Sequence, residues 1–152
     1  MRLLLTVAYH AYRLWCFIAR PLSVSVKLLL VREGRVLLVE HSYQPGWRLP
    51  GGGVKRGETL TQATHREARE ELGATRSDLH CWGIYTDFKQ YKSDHLAVFV
   101  SEDFFLPKLH TDAEIERAAF FALEQLPEGA TPGTRRRVAE YLRGARPGAG
   151  EW

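Results

Sequence analysis

The chain has 152 residues, 45% of them hydrophobic, and its 21 basic and 18 acidic side chains leave a formal net charge of +3. That length suits one domain around one core, and the small basic excess admits an anionic substrate without arguing for a nucleic-acid surface. The two distant cysteines, Cys16 and Cys81, form neither a metal-ligand pattern nor a disulfide framework, which fits a reducing, cytoplasmic setting.

Residues 3–19 are strongly apolar but are interrupted by His10 and Arg13 and carry no small-residue cleavage site, so they do not read as a leader. The run is also short for a membrane span, which needs about 20 apolar residues. Arg2, Thr6, His10, Arg13 and Arg20 recur at helical steps and form one narrow polar stripe. Residues 1–20 are therefore expected to be a separate helix, packed on the domain or on a second copy in a homodimer. The alternative is a basic amphipathic helix in peripheral contact with a membrane. Pro21 ends the segment.

Ser23 to Val31 is β-rich and continuously apolar toward its end, the signature of a buried strand. Glu33-Gly34 signals a turn, and Arg35 to His41 resumes as the second strand of a hairpin. Residues 42–46 are expected to be a loop. Trp47 and Arg48 follow as substrate-facing candidates, with Trp47 open to two readings, a core aromatic or a platform for a base.

Pro50 and Gly51-Gly52-Gly53 forbid helix and let backbone N–H groups approach a phosphate. A helix is predicted from Thr59 or Leu60 to Leu72, closed by Gly73 in a left-handed cap. With Leu60 set at zero and about 100° per residue, the apolar sector runs from about −60° to about 120°. Glu67 and Glu71 fall inside it, at about −20° and about 20°, and Glu70 lies just outside, at about −80°. Carboxylates turned toward a protein body lose hydration and repel one another, so they call for a cation. Hard oxygen ligands on one helical turn suit Mg²⁺ or Mn²⁺. Arg66, one turn before Glu70, is placed to orient it.

Residues 79–88 and 95–100 read as strands, joined by a polar loop, 89–94, where Tyr91 and Lys92 are candidate substrate contacts. Residues 104–112 read as a loop with Pro107. Residues 113–122 admit either helix or extended chain. Thr131-Pro132 starts a final helix that runs to about Arg143 and stops at Gly144. Its Arg135-Arg136-Arg137 run is expected to be a solvated face. Residues 144–152 are expected to be a loose tail.

The central spacing is Gly52, five residues, Glu58, seven residues, Arg66-Glu67-Ala68, one residue, Glu70-Glu71, one residue, Gly73-Ala74. It resembles the complete Nudix box, and the resemblance extends over residues 22–143 but not over the N-terminal helix. It implies an α/β/α sandwich with a mixed sheet, preceded here by an extra helix. It also implies hydrolysis of a nucleoside diphosphate linked to another group, with Mg²⁺ or Mn²⁺ held by Glu67, Glu70, Glu71 and the backbone of Gly51. The resemblance makes Glu58 a brace, Arg66 an orienting residue, and Glu67 or Glu114 the base, with Glu116 a weaker match than Glu114. Two alternatives stay open: a non-catalytic binding module of the same fold, and an enzyme acting on RNA 5′ ends.

Overall fold

A computed structural model describes residues 2–107, 114–145 and 148–152. Helix α1 (Arg2–Ala19) precedes the hairpin β1 (Leu22–Arg32) and β2 (Arg35–His41), followed by β3 (Gln44–Arg48) and helix α2 (Leu60–Leu72). Then come β4 (Arg76–Ser77), β5 (His80–Asp87), a single 3-10 turn (Lys89–Tyr91), β6 (Ser93–Ser101) and β7 (Phe104–Phe105). The chain ends with β8 (Ile115–Ala122), helix α3 (Pro132–Leu142) and β9 (Ala149–Glu151).

Seven strands form one mixed sheet in the order β3-β2-β1-β6-β5-β9, with β8 also paired to β2. Strand alternation divides the core in two. Leu28, Leu30, Leu37 and Val39 point to the side of α2, where they meet Ala68 and Leu72. Leu29, Val31, Val36 and Leu38 point the other way and meet Val138 of α3. Burying each of these large aliphatic side chains contributes about 1.5–3 kcal/mol. Both faces of the sheet are covered by helices, which is the expected α/β/α sandwich with an additional N-terminal helix.

The position of the glycine stretch originates in how β1 leaves β2. The two strands pair only beside the turn, at Val31 with Val36 and Arg32 with Arg35. Beyond that β1 pairs in parallel with β6, from Leu22 with Ser93 to Leu30 with Ser101. The backbone donors on the freed edge of β1 find other acceptors: Val26 N–H donates to the Gly52 carbonyl and Leu28 N–H to the Pro50 carbonyl, both at 2.9 Å. The glycine stretch therefore lies in the gap where β1 and β2 separate. Gly51 sits at φ +129°, and a Cβ there would run into the Val26 carbonyl. Only glycine fits that approach.

Four local expectations change. Residues 44–46 of the expected 42–46 loop belong instead to strand β3, because Ser42 and Tyr43 complete a tight turn and an edge strand tolerates Pro45. Phe104–Phe105 is not loop but pairs with Arg76–Ser77, while residues 108–112 of that expected loop, and residue 113 of the next segment, lie outside the described residues. Residues 115–122 take the extended alternative and pair along β2. Within the expected 144–152 tail, Ala149–Glu151 form a strand: β9 runs parallel to β5, and the Trp152 ring covers Gly133, where a side chain would collide with it.

That last contact also revises the arginine run. Arg137 is buried, donating to the Glu151 carbonyl at 3.1 Å and to Glu140 at 2.6 Å, with its guanidinium 3.6 Å from the centre of the Tyr85 ring. Arg135 caps the turn before α3 through the carbonyls of Pro127, Glu128 and Ala130.

Candidate active site

Helix α2 begins at a reciprocal cap. The Thr59 hydroxyl accepts from Gln62 N–H at 3.2 Å, and the Gln62 side chain accepts from Thr59 N–H at 2.9 Å. Such a cap contributes about 1 kcal/mol. Gly73 closes the helix at φ +66°. Between these ends the phase places the acids as the sequence predicts. Glu67 and Glu71 are only 8% and 9% exposed, while the Glu70 side chain is 51% exposed.

All three line a cleft of about 400 Å³ whose other walls come from β1, the β2–β3 turn and the glycine stretch. Glu71 lies deepest. It accepts from Gly51 N–H at 2.7 Å and faces His41 Nε2 at 3.4 Å. Burial acts to raise its pKa, but His41, Lys27 and the Gly51 N–H together hold the carboxyl below its ordinary value. Glu67 goes the other way: burial raises its pKa, with the Glu71 charge in support and Arg66 opposing. Two neighbouring carboxylates thus have divergent proton affinities, a pattern found at acid–base sites.

Arg66 ties the layer together. It donates to Glu58 at 2.7 and 2.9 Å, to Glu67 at 2.5 Å, to Glu70 at 3.0 Å and to the Gly53 carbonyl at 2.9 Å. Its pairing holds the Glu58 carboxyl at a pKa of about 2. Gly52 leaves room for Glu67: a Cβ at that position would lie 2.5 Å from Glu67 Oε1.

Sequence reasoning missed Lys27, His41 and Tyr43. Lys27 is a lone charge inside the apolar run of β1. It donates to the Gly51 carbonyl at 3.0 Å, and burial lowers its pKa against the pull of Glu71. An ammonium in an otherwise apolar strand is the signal that could have found it. His41 ends β2 in a sequence with no motif around it.

The remaining candidates separate. Arg48 and Glu114 line the cleft, and Glu114 accepts from the Tyr43 hydroxyl at 3.0 Å. Trp47 is away from it, edge-on to Phe121 at 4.7 Å and under Arg117, where a core aromatic sits. Tyr91 packs edge-on to Phe17 of α1 at 4.9 Å. Lys92 pairs with Asp94 at 3.1 Å and borders two neighbouring cavities rather than the cleft itself. Glu116 lies on β8, outside the residues lining the cleft.

Among the described residues no three His, Cys, Asp or Glu side chains close into a metal cage. The carboxylates are drawn instead to Arg66, His41 and Lys27. The donor chemistry nonetheless fits a hard divalent cation: three carboxylates from one helical turn and a nearby backbone carbonyl, with two of the acids desolvated.

The family model described as NUDIX domain matches residues 19–142. The chain belongs to the Nudix hydrolase family. The MutT NUDIX hydrolase from Burkholderia pseudomallei is 30% identical at a TM-score of 0.67, the match covering 78% of this chain and 96% of that one. The MutT protein from Methanosarcina mazei Go1 is 26% identical at a TM-score of 0.70, over 82% and 94% of the two chains. Among curated proteins, the RNA pyrophosphohydrolase of Hydrogenovibrio crunogenus is 37% identical over 68 residues, 44% of this chain and 41% of its own length. The chain thus spans about two fifths of the curated relatives it matches. No described helix is long and apolar enough to cross a membrane.

Proposed function

We propose that the protein hydrolyses the diphosphate linkage of a nucleoside diphosphate derivative, with Mg²⁺ or Mn²⁺ held by Glu67, Glu70, Glu71 and the Gly51 carbonyl. The observation that supports this most is the meeting of three α2 carboxylates with Lys27, Arg48 and the glycine backbone in one cleft. When bound, a divalent cation neutralises diphosphate oxygens and makes water easier to deprotonate. Lys27 and Arg48 bind the remaining phosphate charge and hold the linkage in place. Water attacks one phosphorus, its proton passes to the carboxylate of Glu67 or Glu114, and the bond from that phosphorus to the bridging oxygen breaks. Arg66 positions Glu67 and Glu70, and Glu58 braces Arg66.

The test is a panel of nucleoside triphosphates, nucleotide sugars and dinucleoside polyphosphates with Mg²⁺ or Mn²⁺, scored by product. Turnover of at least one, lost on chelation and reduced about 10²-fold or more in Glu70→Gln, supports the reading. Full activity in Glu70→Gln defeats the assignment, and metal-dependent binding without turnover would favour the non-catalytic module.

A second reading draws on the curated relatives named RNA pyrophosphohydrolase: release of pyrophosphate from triphosphorylated RNA. A short 5′-triphosphate RNA in the same panel separates the two, since an RNA substrate should outcompete mononucleotides and lose affinity steeply with salt. Free Cys16 and Cys81 support a cytoplasmic setting. The outward apolar side of α1 suits contact with a second copy or a lipid surface.

A further inference from the structure

A second cavity, of about 380 Å³, lies between α1 and the β2–β3 turn. Leu5, Tyr9 and Tyr12 of α1 and Tyr43 of the β2–β3 turn line it, and Lys92 and Glu114 supply its charged groups. Tyr43, Gln44 and Glu114 border both this cavity and the cleft, so the two adjoin along a shared edge. The residues α1 contributes all precede residue 19, where the match to the family model begins. This wall is therefore an addition of this chain to the shared fold.

The lining differs in kind from that of the cleft. The cleft presents acids, Lys27 and Arg48, which suit phosphate and cation. The second cavity shares Tyr43, Gln44 and Glu114 with it and adds the rings of Tyr9 and Tyr12, the Leu5 side chain and Lys92. Tyr43 is held in place from several directions: its ring lies 5.5 Å from that of Tyr9 and 5.2 Å from that of His41, and its hydroxyl donates to Glu114. A fixed ring with few torsions is a low-entropy stacking platform. Lys92 can donate to a heteroatom on a ring edge, and Gln44 can donate or accept.

We propose that this cavity is the nucleobase subsite, and that α1 is the wall that makes the enzyme select a base-bearing substrate. The inference rests on the diphosphate reading above, which places the phosphates in the adjoining cleft.

The test is titration calorimetry with Mg²⁺ and, separately, ADP, GDP, CDP, UDP and inorganic pyrophosphate. At least one nucleoside diphosphate is expected to bind about tenfold or more tighter than pyrophosphate. Tyr9→Leu should erase that margin while leaving pyrophosphate binding unchanged, and Tyr9→Phe should keep it. Leu5→Trp, which fills the cavity without removing a ring, should also erase it, and circular dichroism checks that α1 persists in each variant. The subsite is overturned if no nucleoside diphosphate exceeds pyrophosphate, or if Tyr9→Leu and Leu5→Trp both preserve the margin. A base-dependent margin without hydrolysis would defeat the reaction reading and leave the subsite standing.

Discussion

Helices α1 and α2 solve opposite problems with the same periodicity. In α2 two glutamates turn inward, and each meets a partner: Arg66 for Glu67, and His41 with Gly51 N–H for Glu71. In α1 the large apolar residues Leu4, Val7, Leu14, Trp15, Phe17 and Ile18 are exposed. Its inward side carries Tyr9, Arg13 and buried Cys16, and the Arg13 Nε is buried without a hydrogen-bond partner among the described residues. The phase of a helix tells which residues share a side. What that side meets decides whether it is turned in. The acids of α2 are inside because Arg66, His41 and the Gly51 N–H satisfy them there, and the aromatics of α1 lie where they wall a neighbouring cavity.

The largest break in this comparison comes from Glu71. Glu71→Gln keeps an oxygen for Gly51 N–H but removes the charge that faces Lys27 and His41. Turnover is expected to fall by about 10²-fold or more with little change in the circular dichroism spectrum. Activity within threefold of the wild type would mean the inward acids of α2 are structural. The glycines come next. Gly51→Ala places a methyl group against the Val26 backbone at φ +129°, and a loss of more than about 2 kcal/mol in urea unfolding is expected. At Gly52→Ala the nearest atoms to the new methyl group are those of the Glu67 carboxylate, the end of a side chain rather than backbone, so it should fold nearly as well and lose activity instead.

A smaller effect, with a definite sign, concerns Glu58. Its folded pKa is depressed from 4.5 to about 2 by Arg66. The stability it contributes is therefore present above about pH 4.5 and lost as pH falls through about 2. Glu58→Gln should lower the melting temperature most near neutrality, with the gap from wild type closing toward pH 2. A gap constant across that range would show that the pair carries no net charge effect. The smallest change belongs to the outer side of α1. Trp15→Ser with Ile18→Ser should shift unfolding by no more than about 0.5 kcal/mol, since both are more than half exposed and Trp15 packs only against Tyr12 of its own helix among the ring contacts of the described residues. A large loss, or a change in sedimentation, would show that a second copy covers them.

How much of this was legible beforehand follows from the same contrast. The phase of α2 could be read because Leu60, Ala63, Ala68 and Leu72 define one sector and the acids fall within it. The glycines before it and Gly73 after it mark the ends. In α1 apolar residues fall on nearly every side, so its sparse polar stripe could not fix its orientation. Thr6 and Arg13 of that stripe are half-buried while His10 and Arg20 are exposed. Lys27, His41 and Tyr43 come from three separate elements, and only the splaying of β1 from β2 brings them to Glu71. The final strand was hidden because Ala149–Glu151 has almost no side-chain pattern. Its order comes from pairing with β5 and from Trp152, whose role depends on a glycine in α3.

The pairing of β1 with β6 has a consequence for the order of assembly. Leu22 meets Ser93, and the hairpin, the glycine stretch and α2 all lie in the chain between them. That long loop must close before the parallel ladder returns any free energy, so this step is expected to be slow and late in folding. Until it closes, β1 has no neighbour on its β6 edge, and only the opposite edge, which carries the glycine stretch, can be satisfied locally. The hairpin, the glycine stretch and α2 are consecutive in the chain, so the contacts of Lys27 and Gly51 with the α2 carboxylates are expected to form before the β1–β6 ladder closes over them.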